Sequence, residues 1–376
     1  MSLSEDSRKA LKTINALILD KRFSKADELL QPLVDLAIEE ALLMKADLLL
    51  QQSPQIGLKY LFELCKGNIA GANFKAAFIL YFHPEVGVDF RPYLFSAFKQ
   101  GDPEAIIAAA NLYLQQGVVA KASQILTKNR HISEVNQLTE SLGLISDNEE
   151  ALLDFNDIRR ADLSKLTYES VAPEINLFYV DDFLTDFECL WLKNCALCEL
   201  KRSMVVDGES GSNIVSNVRT GSVAQLAPTA NDWVLLNIEM KIAAYFNIPI
   251  ENGELSNVLK YEVGEEYKPH YDFFHPNDKG SEQALKDGGQ RFKTVLIYLN
   301  DVEQGGDTHF PRLSKSVRAK QKRLVVFNNT DNSYGPLPLS LHQGMPVIKG
   351  EKWLYSKWLR VKPTSYLKCL QQLHVR

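Results

Sequence analysis

His270-Tyr271-Asp272 places an imidazole and a carboxylate two residues apart. On a strand, such residues point to the same face, so both can reach one metal ion. A third ligand from far along the chain would complete one face of an octahedron. His342, 70 residues beyond Asp272, is the candidate. Two imidazoles and one carboxylate suit Fe(II) and leave three positions open, enough for a bidentate cosubstrate and O2. The tripeptide alone is a weak signal, because such triplets arise by chance and a strand histidine is usually just a strand residue. The surroundings have to decide.

The elements that must position these residues begin near Asn176. Asn176 to Phe183 (NLFYVDDF) reads as a strand or extended lead-in, and Thr185 as the N-cap of a helix through Leu190, Leu192 and Leu197. Asp207 to Asn213 is a polar, glycine-bearing loop, and Asn231 to Phe246 reads as a helix. Short β-like runs follow: Val258 to Val263, Lys293 to Leu299, Arg323 to Phe327 and Trp353 to Val361. Turn residues separate them, the texture of an antiparallel sandwich or jelly roll.

Upstream, the pattern is helical. Leu11, Ile14, Leu17 and Ile18 form one apolar face; Leu42, Leu43, Ala46, Leu49 and Leu50 form another. Leu61-Phe62 is echoed by Leu94-Phe95, and Ala76-Ala77 with Leu80-Tyr81 by Ala108-Ala109 with Leu112-Tyr113, at offsets of 33 and 32 residues. The segment resembles tetratricopeptide-type repeats; an irregular helical domain is the other reading. The expected class is α+β in two domains. An all-α helical repeat spans 1–150 and a linker 151–175. A jelly roll with flanking helices spans 176–376.

Composition narrows the function. The chain has 376 residues, 42 basic and 47 acidic, for a net charge of −5. That argues against general binding to nucleic acid or anionic membranes. A 45% hydrophobic and 24% charged composition is that of an ordinary globular protein. The N-terminus lacks a signal pattern and no apolar run approaches the ~20 residues of a membrane helix. Cys189, Cys195 and Cys198 crowd one segment, yet no second pair stands at zinc-finger spacing, so reduced cysteines on a helix are expected. The expected location is cytoplasmic.

Three blocks carry a family likeness: Tyr261 to Asp272 (YEVGEEYKPHYD), Gly289 to Pro311 (GQRFKTVLIYLNDVEQGGDTHFP) and Leu341 to Trp358 (LHQGMPVIKGEKWLYSKW). Together they resemble the 2-oxoglutarate- and Fe(II)-dependent dioxygenases, most closely the prolyl 4-hydroxylase catalytic-subunit branch. The likeness extends upstream through Phe183 to Leu192 and Ser216 to Gly221 and covers roughly residues 175 to 362. Ordered blocks at compatible spacing are far more specific than one tripeptide.

The resemblance implies a double-stranded β-helix with His270, Asp272 and His342 as iron ligands and catalytic centre. Lys352 matches the basic residue that pairs with the far carboxylate of 2-oxoglutarate, a role that suits a cation at the closed end of a pocket. Tyr261 and Thr308 match cosubstrate-binding positions. Tyr298 is read either as a pocket residue or as a core tyrosine whose phenol needs a partner. Arg219, Arg291 and Trp358 match positions facing the peptide or its target ring. Their alternative is a solvated loop charge for Arg219 and plain core for Trp358.

The implied reaction is hydroxylation of a prolyl residue in a protein or peptide, with 2-oxoglutarate decarboxylated to succinate and CO2. Fe(II), 2-oxoglutarate and O2 are the implied cofactors, with ascorbate as a further one. The presence of Asp272 favours hydroxylation, since related halogenases lack that carboxylate. The helical domain would recruit the polypeptide. Two rival readings stand beside this one: the same chemistry on another residue or a small molecule, and a non-catalytic helical-repeat interaction protein.

Some details depart from the family pattern. The family often has Arg-Thr-Ser where this chain has Arg219-Thr220-Gly221, and a Pro and a Gly around two basic residues where it has Arg318 to Arg323 (RAKQKR). That basic tract reads as a solvated face. His309 should face away from Thr308, and His275 away from His270.

Overall fold

The computed structural model describes residues 5–144, 153–206, 213–215, 218–229, 232–275, 281–367 and 370. The loop read at Asp207 to Asn213 falls almost wholly outside the described residues, as do Ser216 and Asn217.

The helical region runs α1 (Glu5–Leu19), α2 (Phe23–Asp35), α3 (Glu39–Gln52), α4 (Pro54–Lys66), α5 (Ala72–Phe82), α6 (Arg91–Lys99), α7 (Pro103–Gln115), α8 (Val119–Lys128) and α9 (Ser133–Ser141). Consecutive helices from α1 to α9 touch. Gly101, at φ 76°, turns the chain between α6 and α7. Asp102 then caps α7, accepting from the Ala105 N–H at 3.0 Å, with Pro103 in the first turn. The internal repeat is the buried face of two helix pairs. Leu61 and Leu94 occupy one equivalent position of α4 and α6, Ala76-Ala77 and Ala108-Ala109 another of α5 and α7, all buried.

The C-terminal region follows in chain order as β1 (Glu169–Ala172), β2 (Leu177–Val180), α10 (Asp186–Leu197), β3 (Lys201–Arg202), β4 (Met204–Val206), β5 (Asn213–Val215), β6 (Ser222–Leu226), α11 (Trp233–Phe246), β7 (Ser256–Tyr261) and β8 (Tyr267–His270). Then come α12 (Ser281–Lys286), β9 (Arg291–Tyr298), β10 (Gln304–Gly305), β11 (Thr308–Phe310), β12 (Lys315–Val317), β13 (Leu324–Asn328), β14 (His342–Gly344), β15 (Val347–Lys349) and β16 (Lys352–Arg360). Thr185 caps α10 through a reciprocal box: its hydroxyl accepts from the Glu188 N–H at 3.1 Å and the Glu188 carboxylate from the Thr185 N–H at 2.8 Å.

The larger sheet has the order β1-β2-β13-β9-β16-β7-β6-β3, and a four-stranded sheet the order β12-β11-β14-β8, antiparallel throughout. Leu259, Leu296, Val325, Phe327 and Leu354 of the first meet Phe310 and Val317 of the second in one core. This is the expected jelly roll. The other face of the larger sheet packs on α10 and α11. Alternation along β16 sends Trp353, Tyr355 and Leu359 into that second core and Leu354 into the first. Both faces are covered, so β16 is buried almost throughout, its polar residues included.

The stretch read as a linker is partly structural: β1 lies within it and pairs with β2 at the sheet edge, and Phe155 and Ile158 are buried. The helical region shares a core with the C-terminal one. Trp233, at the start of α11, is surrounded by Phe74, Phe78, Tyr81 and Phe82 of α5 and by Phe90, with ring centroids 4.5 to 6.3 Å away. The Tyr81 hydroxyl donates to Asn237 at 2.9 Å, and Gln115 of α7 donates to Glu188 of α10 at 2.7 Å. No described helix is long and apolar enough to cross a membrane.

Candidate active site

Pairing of β14 with β8 sets His342 directly opposite His270. The same-face argument for His270 and Asp272 requires a strand through both. Instead β8 ends at His270, and a bend brings the carboxylate round. The result is the expected cluster: one ligand atom from each of His270, Asp272 and His342 lies within 4.8 Å of the others. Among the described residues this is the one such group of three or more His, Cys, Asp or Glu.

Both imidazoles are oriented by backbone. His270 Nδ1 lies 2.8 Å from the Lys268 carbonyl and His342 Nδ1 2.9 Å from the Ser340 carbonyl. Nδ1 therefore carries the proton, which leaves the Nε2 lone pairs facing Asp272. His270 Nε2 is 3.7 Å from Asp272 Oδ1 and His342 Nε2 is 3.5 Å from Oδ2. Thr294 donates to Oδ2 at 2.6 Å, and Asn329 donates to the Thr294 hydroxyl at 2.8 Å.

Burial, helped by the neighbouring His342, pushes the His270 imidazole down to about 3. Burial alone would raise the Asp272 carboxyl; the two histidines and the Thr294 hydroxyl pull it down to about 2. At neutral pH His270 is a neutral donor and Asp272 an anion, as ligands to a dication must be. A buried carboxylate flanked by two backbone-oriented imidazoles fits Fe(II), with the metal's remaining positions left to other ligands.

The adjoining pocket is lined on its polar side by Tyr261, Thr308, Lys352, Arg219, Tyr267 and Trp358, with Leu259, Leu296 and Leu354 as its apolar wall. Lys352 stands opposite Tyr261 in the β16–β7 register. It is only 2% exposed, and its one hydrogen bond among the described residues goes to the Gly306 carbonyl at 2.6 Å. Burial pushes its ammonium down to about 8, with Asp307 partly opposing. Such a cation is suited to receive an anion.

Tyr298 does not line this pocket. It is fully buried, and its hydroxyl lies 2.6 Å from Thr308 Oγ1 while accepting from the Thr308 N–H at 3.1 Å. It braces Thr308 from behind. Arg219 and Trp358 do line the pocket; the Arg219 guanidinium sits 5.0 Å from the Tyr267 ring centre. Arg291 is absent from the lining. Its guanidinium is taken up by Glu254 at 2.6 and 2.7 Å and stacks 3.8 Å from the Trp358 ring centre.

The departures have physical explanations. A Cβ on Gly221 would come 2.6 Å from the Lys260 carbonyl oxygen and 2.6 Å from the Tyr261 ring, so a serine there would force one of them to shift. The RAKQKR tract is largely partnered: Lys320 and Arg323 pair with Asp181, and Lys322 with Asp182 and Asp186. His309 bonds to Ser316 at 2.8 Å, and His275 is exposed. Cys189 and Cys195 lie on α10 and Cys198 at its end, none of them disulfide-bonded.

Sequence reasoning missed Thr294, Asn329 and Glu254. Thr294 carried a signal, since it shares the inward face of β9 with Leu296 and Tyr298. Asn329 and Glu254 carried none, because their partners lie 35 and 37 residues away.

Residues 256–360 match the family model of the 2OG-Fe(II) oxygenase superfamily. The chain is 36% identical over 223 residues to prolyl 4-hydroxylase 1 of Arabidopsis thaliana, covering 54% of this chain and 77% of that protein. It is 35% identical over 219 residues to probable prolyl 4-hydroxylase 7 of the same plant, covering 54% and 67%. Among solved structures, the 2OG complex of the viral collagen prolyl hydroxylase from Paramecium Bursaria Chlorella virus-1 is 26% identical, with 49% of this chain and 95% of that one covered and a TM-score of 0.39. With the His-Asp-His cluster and its cationic pocket in place, the chain belongs to the prolyl 4-hydroxylase family of 2OG-Fe(II) oxygenases and is a 2-oxoglutarate-dependent dioxygenase.

Proposed function

We propose that this dioxygenase hydroxylates a prolyl residue in a protein or peptide while 2-oxoglutarate is converted to succinate and CO2. The observation that carries the reading is the layout of one row of side chains. Lys352 and Trp358 both line the pocket from β16, about 20 Å apart along the strand, with His270, Asp272 and His342 in the same pocket. A buried ammonium at one end suits a dicarboxylate; an aromatic wall beside Arg219 suits a proline ring and peptide carbonyls.

In this reading His270, Asp272 and His342 hold the iron, and Thr294 keeps Asp272 turned toward it. Lys352 binds the far carboxylate of 2-oxoglutarate, with Tyr261 and the braced Thr308 as further partners. Bound Fe(II) and 2-oxoglutarate supply the O2-activating chemistry. Arg219 and Trp358 orient the substrate, and Leu259, Leu296 and Leu354 keep water out. The same proposal includes ascorbate as a reductant and a cytoplasmic setting. It also includes the division into a helical domain over 1–150 that recruits polypeptide, a linker over 151–175 and the catalytic domain beyond.

The test has two stages. Anaerobic Fe(II) and then 2-oxoglutarate should produce a visible charge-transfer band that His270→Ala abolishes and Lys352→Ala weakens. Proline-containing peptides are then screened by mass spectrometry for gain of one oxygen atom on a prolyl residue, with matched succinate release. Oxygen placed on another residue or on a small molecule would replace the prolyl assignment.

A further inference from the structure

We propose that Arg291 is a positioning residue: it belongs to a half-buried Glu254–Arg291–Arg360 clamp that holds the Trp358 indole and the Phe274 segment, and it does not itself bind the peptide. The inference rests on the reading of Trp358 as a substrate-side wall.

The clamp engages the Nε and Nη2 edge of Arg291 and all three nitrogens of Arg360. Arg291 Nε and Nη2 meet the two oxygens of Glu254 at 2.6 and 2.7 Å, a bidentate fork. Arg360 Nη1 reaches the same carboxylate at 2.7 Å; its Nε donates to the Gly289 carbonyl at 2.8 Å and its Nη2 to the Ala284 and Asp287 carbonyls. Burial would raise the Glu254 carboxyl, but the two arginines hold it below the usual range, so the carboxylate stays charged between them.

The planar faces do the positioning. The Arg291 guanidinium lies 3.8 Å from the Trp358 ring centre and 4.6 Å from that of Phe274, and Arg360 lies 4.7 Å from Phe274. Phe274 is two residues past Asp272, and Gln290 grips its backbone, accepting from its N–H at 2.6 Å and donating to its carbonyl at 2.8 Å. The clamp therefore supports the substrate-side wall and the segment that leaves the metal cluster. Arg219 and Trp358 line the pocket and Arg291 does not. A lysine could supply the charge at 291 but neither the fork nor the stack.

The test compares Arg291→Gln, Arg291→Lys, Glu254→Gln and the double Arg291→Gln/Glu254→Gln variant. A positioning role predicts that all four lose peptide kcat/KM by a similar factor, about 10²-fold for a displaced wall. The double variant should be no worse than either single one, and the KM for 2-oxoglutarate should stay near wild type. If Glu254→Gln does not fold, Glu254→Asp, which keeps the charge and shortens the reach, carries the same comparison. The proposal is overturned if Glu254→Gln keeps or improves peptide kcat/KM while Arg291→Gln loses it, or if Arg291→Lys restores it.

A second readout needs no peptide. Protein labelled with 5-fluorotryptophan has four tryptophans, and Trp358→Phe assigns its resonance. That ¹⁹F signal should shift or broaden in Glu254→Gln and Arg291→Lys while the other three hold; an unmoved Trp358 signal would refute the clamp. If the signal moves but no peptide is ever turned over, the clamp stands and the prolyl reading is what fails.

Discussion

Lys352 should cost the folded protein stability that it returns as cosubstrate affinity. Burial lowers its ammonium from 10.5 to about 8. At 1.36 kcal/mol per unit, holding the charged form inside the fold at neutral pH costs about 3 kcal/mol relative to the unfolded chain. Lys352→Met has similar length and no charge to desolvate. The ligand-free variant should therefore be more stable at pH 7 by about 2–3 kcal/mol, after allowing for the lost hydrogen bond to Gly306.

The sign with pH follows from proton counts. Between about 8 and 10.5 the unfolded lysine binds a proton that the folded one has released, so wild-type stability gains as pH rises through that window. The advantage of the methionine variant is full below pH 8 and closes toward 10.5. 2-Oxoglutarate binding runs the other way. In the proposed reading its far carboxylate pairs with the charged lysine, so wild-type affinity should hold below pH 8 and weaken about tenfold per unit above it. Urea unfolding of the metal-free proteins at several pH values measures the first effect, and anaerobic titration of the Fe(II) form the second. A methionine variant no more stable than wild type at pH 7, or a difference that does not change with pH, would refute the reasoning.

Thr294→Val removes the donor to Asp272 Oδ2 and should weaken Fe(II) binding about 10–100-fold in anaerobic titration; unchanged affinity would count against the bracing role. Trp233→Ala empties the aromatic cage between α5 and α11, and a loss of about 3–5 kcal/mol in denaturant unfolding is expected, with earlier proteolysis at the junction of the two regions. Gly221→Ser should displace the Tyr261 ring and raise the KM for 2-oxoglutarate, and a KM equal to wild type would show that the strand yields instead.

Much of this architecture was legible in the order of residues. The Thr185 cap, the α11 helix and the strands ending in β16 rest on neighbours within one turn or one pleat. The metal cluster could be named for a different reason: the weak H-x-D tripeptide and His342 both fall in ordered blocks that resemble the dioxygenases. Lys352 was visible in the same way, by its match within the block from Leu341 to Trp358. The geometric warrant for pairing His270 with Asp272 was less secure, since the pleat stops at His270 and a bend completes the approach.

The sequence by itself determined residue chemistry and local periodicity: which side chains could bind iron, where helices give way to strands, and which faces are apolar. Tertiary structure decided which of the matched residues face the pocket. Arg219 and Arg291 are both basic and both fall in family-like blocks, yet Arg219 lines the pocket and Arg291 is occupied by Glu254, 37 residues away. Tyr298 is set behind Thr308 rather than in front of it by the packing of two sheets. Trp233 ties the helical region to the catalytic one through rings some 150 residues earlier in the chain. Local pattern records what each segment of chain prefers. A carboxylate that occupies an arginine, or a cage that receives an indole, exists only once distant segments share one interior.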